Sequence, residues 1–151
     1  MAEYVTVADQ NVALDSPILF NQVSIPCGSG SVIPTAPGII TLRGNTNNQF
    51  ARYDVGLNLN IQIPTGGAVT PIAVGIKLNG VTLPESVAII TPAAAENYEH
   101  IYTEVTVTVP RGCCFEISAA YVDGTEDLPA VTPTPTITVR RAAGLKVNRV
   151  A

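Results

Sequence analysis

The chain has 151 residues, 46% hydrophobic but only 13% charged, and twelve Asp or Glu against eight Lys or Arg give a net charge of −4. A single domain, residues 1–151, can bury a core of this size without metal or disulfide. The acidic balance argues against a surface for nucleic-acid phosphates, leaving Arg140, Arg141, Lys146 and Arg149 as a thin basic tail.

The opening "MAEYVTVADQ" has neither a basic nor an apolar leader region, so synthesis in the cytoplasm without a signal peptide is expected. "YVTV", "PILFNQVSI" and "GIITLRG" read as short strands, broken at Pro26-Cys27-Gly28. A polar loop, Gly44 to Gln49, offers Asn45, Asn47, Asn48 and Gln49 as candidate recognition residues, or simply as a turn. From Tyr53 to Ile63 the apolar residues Tyr53, Val55, Leu57, Leu59, Ile61 and Ile63 alternate with polar ones or Gly, predicting a strand with one buried face. After a break at Thr65-Gly66-Gly67, Asn79-Gly80 suits a two-residue turn between strands near Ile72–Leu78 and Val81–Ile90. "TPAAAENYEH" is the one stretch expected to hold a helical turn. Ile101, Thr103, Val105, Val107 and Val109 then share one face of a second long strand, and "CCFEISAAYV" and "TITVRRAAGLKVNRV" supply the rest. "LPAVTPTPT" reads as a loop or edge crossing. About eight to ten short strands result, the pattern of an all-β, antiparallel β-sandwich or jelly roll.

Charged residues usually make up roughly 25% of a soluble protein, yet mean hydropathy here is +0.30. Weakly polar surface of this kind is expected to be buried against other copies of the chain. No run approaches the ~20 apolar residues of a membrane span, so no membrane insertion is expected.

Reactive chemistry has little to draw on. Three cysteines and one histidine are a poor zinc set, and the adjacent Cys113 and Cys114 leave a strand on opposite faces. Cys113 falls on the side of Phe115 and Ile117, Cys114 on that of Glu116. His100, the one available base, sits among carboxylates and tyrosines, and the carboxylates are scattered through a chain that lacks tryptophan. No catalytic residue, cofactor or metal ligand is assigned, and no enzyme activity is expected. Cys27, Cys113 and Cys114 are read as packing thiols or as candidates for a cross-link, within the chain or between copies.

The motif order carries a resemblance. "LFNQVSIPCGSGSVIPTAPGIITLRG", a long alternating strand ending "IPTGG", an Asn-Gly hairpin and "VTVPRGCCFEISA" together resemble small tumour-necrosis-factor-like jelly rolls. The resemblance is to the kind found in spore-coat collagen-like glycoprotein heads and in proteins of Firmicutes prophages. The likeness spans nearly the whole chain. Where such relatives carry a histidine ahead of "GIxTLRG", this chain reads "VIPTAPGIITLRG", which weakens any shared metal site. The resemblance implies a cofactor-free homotrimer, and with it a structural or display role as a phage virion decoration or fibre-head component, freed by lysis and docked on a capsid or surface protein. Two alternatives are a self-assembling appendage or spore-surface subunit that donates its N-terminal strand to a neighbour, and a glycan- or receptor-binding module that uses its end loops.

Overall fold

The computed structural model describes residues 1–27, 30–112, 114–122, 136–140 and 143–150. It is a sandwich of two antiparallel sheets. In chain order the strands are β1 (Ala2–Val5), β2 (Gln10–Ala13), β3 (Gln22–Ile25), β4 (Val32–Ala36), β5 (Ile39–Arg43), β6 (Phe50–Gln62), β7 (Ile72–Leu78), β8 (Val81–Thr82), β9 (Ala88–Ile90), β10 (Glu99–Pro110), β11 (Cys114–Val122), β12 (Thr136–Val139) and β13 (Gly144–Arg149). These thirteen strands among the described residues exceed the expected eight to ten. Segments that read as single strands are divided: β12 and β13 pair with β6 one after the other, and β8 and β9 each pair with β7.

The long alternating segment behaves as its period dictates. Ala51, Tyr53, Val55, Leu57, Leu59, Ile61 and Ile63 are all fully buried. β6 pairs with β10 over twelve residues, from Glu99 opposite Ile61 to Pro110 opposite Phe50. On β10 the inward Ile101, Val105, Val107 and Val109 are buried while Tyr102, Glu104, Thr106 and Thr108 are exposed. β1 and β13 continue this first sheet beyond β6, and β3 closes its far edge. The second sheet runs β4-β5-β11-β7-β8, with β9 also on β7. Its inward Leu42, Val74, Ile76, Ile117 and Tyr121 join the first sheet's inner residues in one core.

Two local expectations change. Asn79 and Gly80 do make the hairpin turn, both at positive φ (51° and 83°), but the return segment is not one strand. Pro84 lacks the N–H that a ladder needs, and Pro84–Ser86 forms a 3-10 turn between β8 and β9. The Ser86 hydroxyl fills the gap, accepting from the Ile76 N–H at 2.8 Å. The expected helical turn before β10 is absent: Glu96 sits at φ 68° and its N–H donates to the Ile63 carbonyl at 2.9 Å, which holds the segment as a turn.

The two outward faces differ. On the second sheet, Ala73, Ala120 and Val122 are buried on the outward side and pack with Val87, whose Cγ2 would lie 3.2 Å from a Cβ on Gly75. On the first sheet the outward positions of β6 and β10 face solvent or are half-buried.

Candidate functional site

The outward face of the first sheet holds a shallow concavity of about 430 Å³. Its shape follows from two glycines on central strands. Gly56 on β6 pairs with Lys146, and Gly144 on β13 pairs with Asn58, so the floor lacks two side chains. Tyr102 and His100 of β10 rise on one side, Met1 and Glu3 of the N-terminal strand on the other. Tyr102 is 58% exposed and leans over Gly56, where an added Cβ would lie 3.3 Å from the phenol oxygen. Its hydroxyl donates to Glu104 at 2.6 Å, and holding that proton against the carboxylate pushes the phenol pKa up.

Three further side-chain contacts lie on this face. Thr106 Oγ1 donates to Asp54 at 2.7 Å, His100 Nδ1 lies 3.1 Å from Asn60 Oδ1, and Lys146 stands 4.0 Å from Glu3. Glu3, Asp54 and Glu104, scattered in the sequence, therefore share one groove with the single histidine. The convergence follows from strand register and had no signal in any one segment. Among the described residues no group of three or more His, Cys, Asp or Glu is placed to hold a metal ion.

The polar loop lies at one end of the sandwich, against the turn that joins β10 to β11. Gly44 and Gln49 carbonyls accept from the N–H groups of Gly112 (3.1 Å) and Arg111 (2.9 Å). Only glycine fits at position 44, since a Cβ there would meet the Pro110 carbonyl oxygen at 2.0 Å. Arg149 Nη2 donates to the Asn45 carbonyl at 2.6 Å and Nη1 to Ser31 Oγ at 3.2 Å. With the backbone so engaged, Asn45, Asn47, Asn48 and Gln49 are all exposed. The supposed basic tail is dispersed: Arg140 bonds Asp9 at 2.7 Å and stacks on Tyr98, Lys146 lies on the sheet face, and Arg149 turns to the loop. Arg141 lies outside the described residues.

Of the three cysteines, Cys113 lies outside the described residues. Cys27 follows β3 and is half-buried against the core. Cys114 opens β11 opposite Arg43 and is exposed, on the side expected for it.

Neither a scan of protein-family models nor a search of curated proteins finds a match. Solved structures do. The Eiger TNF of S. frugiperda superposes with a TM-score of 0.65 at 11% identity, covering 99% of this chain and 91% of that one. Pika GITRL (TM-score 0.40, 12% identity, 94% of this chain and 97% of that one) and the sugar-binding EclA C-terminal domain (0.36, 13%, 85% and 90%) are more distant. The fold is a TNF-like jelly roll.

Proposed function

We propose that this chain is a non-catalytic structural or display module that works as a homotrimer, associating through the outward face of its first sheet. One observation carries the reading: that face is broad and almost uncovered by its own chain, and its charged groups are offset locally, Lys146 beside Glu3 and the Asp54 and Glu104 carboxylates bonded by Thr106 and Tyr102. The second sheet, by contrast, packs Val87 on its outward side. Burying weakly polar surface between copies answers the low charge content, and the glycine floor lets a neighbouring backbone approach closely.

Light scattering on the full chain should give three times 15.8 kDa at micromolar concentration. Asn58→Arg, exposed at mid-face, should release folded monomers with unchanged circular dichroism. A wild-type protein that is monomeric at this concentration overturns the proposal.

The proposed setting is a phage particle, with the module as a decoration or fibre-head component docked on a capsid or surface protein. It rests on the motif resemblance and is tested by proteomics of purified virions, where absence of the chain removes it. The alternative of N-terminal strand donation meets an obstacle: β1 is held between β13 and β3 of its own sheet, with Ala2 and Tyr4 buried.

A further inference from the structure

Charge is unevenly placed on this acidic chain. The segments that meet at the loop end, residues 43–52, 109–112 and 147–150, hold four arginines and no acidic residue. Arg43 ends β5 beside the buried Leu42, so it projects outward from the second sheet; Arg52, beside the buried Tyr53, projects outward from the first. Arg111 sits between them on the turn that crosses from one sheet to the other. All three are exposed, and none makes an ion pair among the described residues. Elsewhere Lys77, Arg140 and Lys146 each face a carboxylate, of Asp15, Asp9 and Glu3. Arg149 serves differently, as the group that pins the loop backbone at Asn45.

The arrangement limits what could bind. Guanidinium groups on opposite sides of a sandwich, with a third at the tip, cannot close on one small anion, but they can follow an extended polymer with spaced negative charges. Each guanidinium can grip a carboxylate with two parallel hydrogen bonds. Between them stand the exposed amides of Asn45, Asn47, Asn48 and Gln49, whose paired donors and acceptors suit hydroxyl groups. Phe50, 47% exposed, adds one apolar surface. Nucleic acid fits less well: single strands are held by several stacking aromatics, and a densely charged duplex would feel the chain's net −4.

We propose that this end of the sandwich binds an acidic polysaccharide, with Arg43, Arg52 and Arg111 pairing with its carboxylates and the Asn45–Gln49 loop bonding its hydroxyls. The site lies within one chain and does not depend on trimer formation; Arg52 stands at the loop-end edge of the face proposed for association, so a trimer that leaves this edge uncovered would present the site three times and add avidity.

The test is titration calorimetry of the full chain with polygalacturonate, a linear uronate polymer, at low salt. Saturable binding that weakens as salt rises is expected, with no comparable heat from neutral dextran. The triple variant Arg43→Gln, Arg52→Gln, Arg111→Gln should lose about tenfold or more in affinity, since exposed charge contacts are individually weak but add across separated sites. The variant Asn45→Ala, Asn47→Ala, Asn48→Ala should weaken binding while keeping its salt dependence. No saturable binding by the wild type, an unchanged affinity in the arginine variant, equal binding of dextran, or tighter binding of single-stranded poly(dT) would each overturn the proposal.

Discussion

Leu59→Ala puts the central claim of the fold, that the odd positions of β6 form the core, to a quantitative test. Leu59 is fully buried at mid-strand, opposite Ile101 on β10, and β6 has paired strands on both sides. Losing its two methyl groups and the γ-carbon that bears them forfeits about 0.8 kcal/mol of transfer free energy per carbon. A cavity term adds to this, because strands fixed on two sides relax little, and the total should reach about 3–5 kcal/mol. That is a large part of the roughly 5–15 kcal/mol of a typical domain. The comparison is Asn60→Ala on the opposite face. Asn60 Oδ1 contacts only the exposed His100 ring, while its backbone carbonyl still accepts from the Arg140 N–H at 2.9 Å. Its loss should cost below about 1 kcal/mol. Urea unfolding of both variants at one fixed protein concentration, so that any assembly contributes equally, should show a large fall in midpoint for Leu59→Ala and a small one for Asn60→Ala, with similar m-values. Equal effects at the two positions would refute the alternation.

Tyr53 is buried with its hydroxyl donating to the Arg43 carbonyl, and burial pushes its pKa above 10.0. Its stabilisation is therefore complete below pH 10, the unfolded value, and is lost as pH rises through the higher folded value; Tyr53→Phe should flatten the alkaline fall in denaturant midpoint, and an unchanged slope would count against this. Gly44→Ala should destabilise measurably in a thermal melt, because its Cβ has no space beside Pro110. Its effect should exceed that of Gly80→Ala, where strain at positive φ acts without a clash. Non-reducing electrophoresis of air-exposed protein should show a reductant-sensitive dimer that vanishes in Cys114→Ser if the exposed thiol links copies. Its absence would leave the cysteines as packing groups.

Periodicity made the long strands legible. Tyr53 to Ile63 alternates without interruption and Ile101 to Val109 with one polar residue, Thr103, in its inward row, and that alternation sets which face is buried. The Asn79-Gly80 turn was legible for a different reason, since few residue pairs tolerate two consecutive positive φ values. What escaped were features made by contacts distant in sequence. The break at Pro84–Ser86 depends on Ser86 reaching Ile76, ten residues back, and the turn at Glu96 on the carbonyl of Ile63. The groove was invisible for the same reason. Nothing in "DVGLNLN" says that Gly56 will lie under Tyr102, forty-six residues later, until the register of β6 with β10 is fixed. The arginines of the loop end were hidden too, because Arg43, Arg52, Arg111 and Arg149 come from three strands and a turn. Only Arg149 belongs to a segment whose basic charge stands out in the sequence, the C-terminal one.

The geometry of a jelly roll lets the two proposed surfaces coexist. β6 and β10 run the length of the sandwich in register, so a contact built on their outward face lies alongside the strands, whereas the loop end lies at their termini. Association through the face would consume Tyr102 and its neighbours but leave the Asn45–Gln49 loop and Arg111 turned to solvent. Charge follows the same division. At mid-face Lys146 stands beside Glu3 and the Asp54 and Glu104 carboxylates are bonded by hydroxyls, which lowers the cost of bringing copies together. The loop end keeps exposed arginines without ion pairs, an arrangement that repels other copies at that point and favours an anionic partner. Asn58→Arg and the triple arginine variant should therefore be separable: the first should change mass without abolishing polygalacturonate binding, the second should weaken binding about tenfold or more without changing mass. Loss of both properties in either variant would show that face and loop end form one surface, and would refute the division.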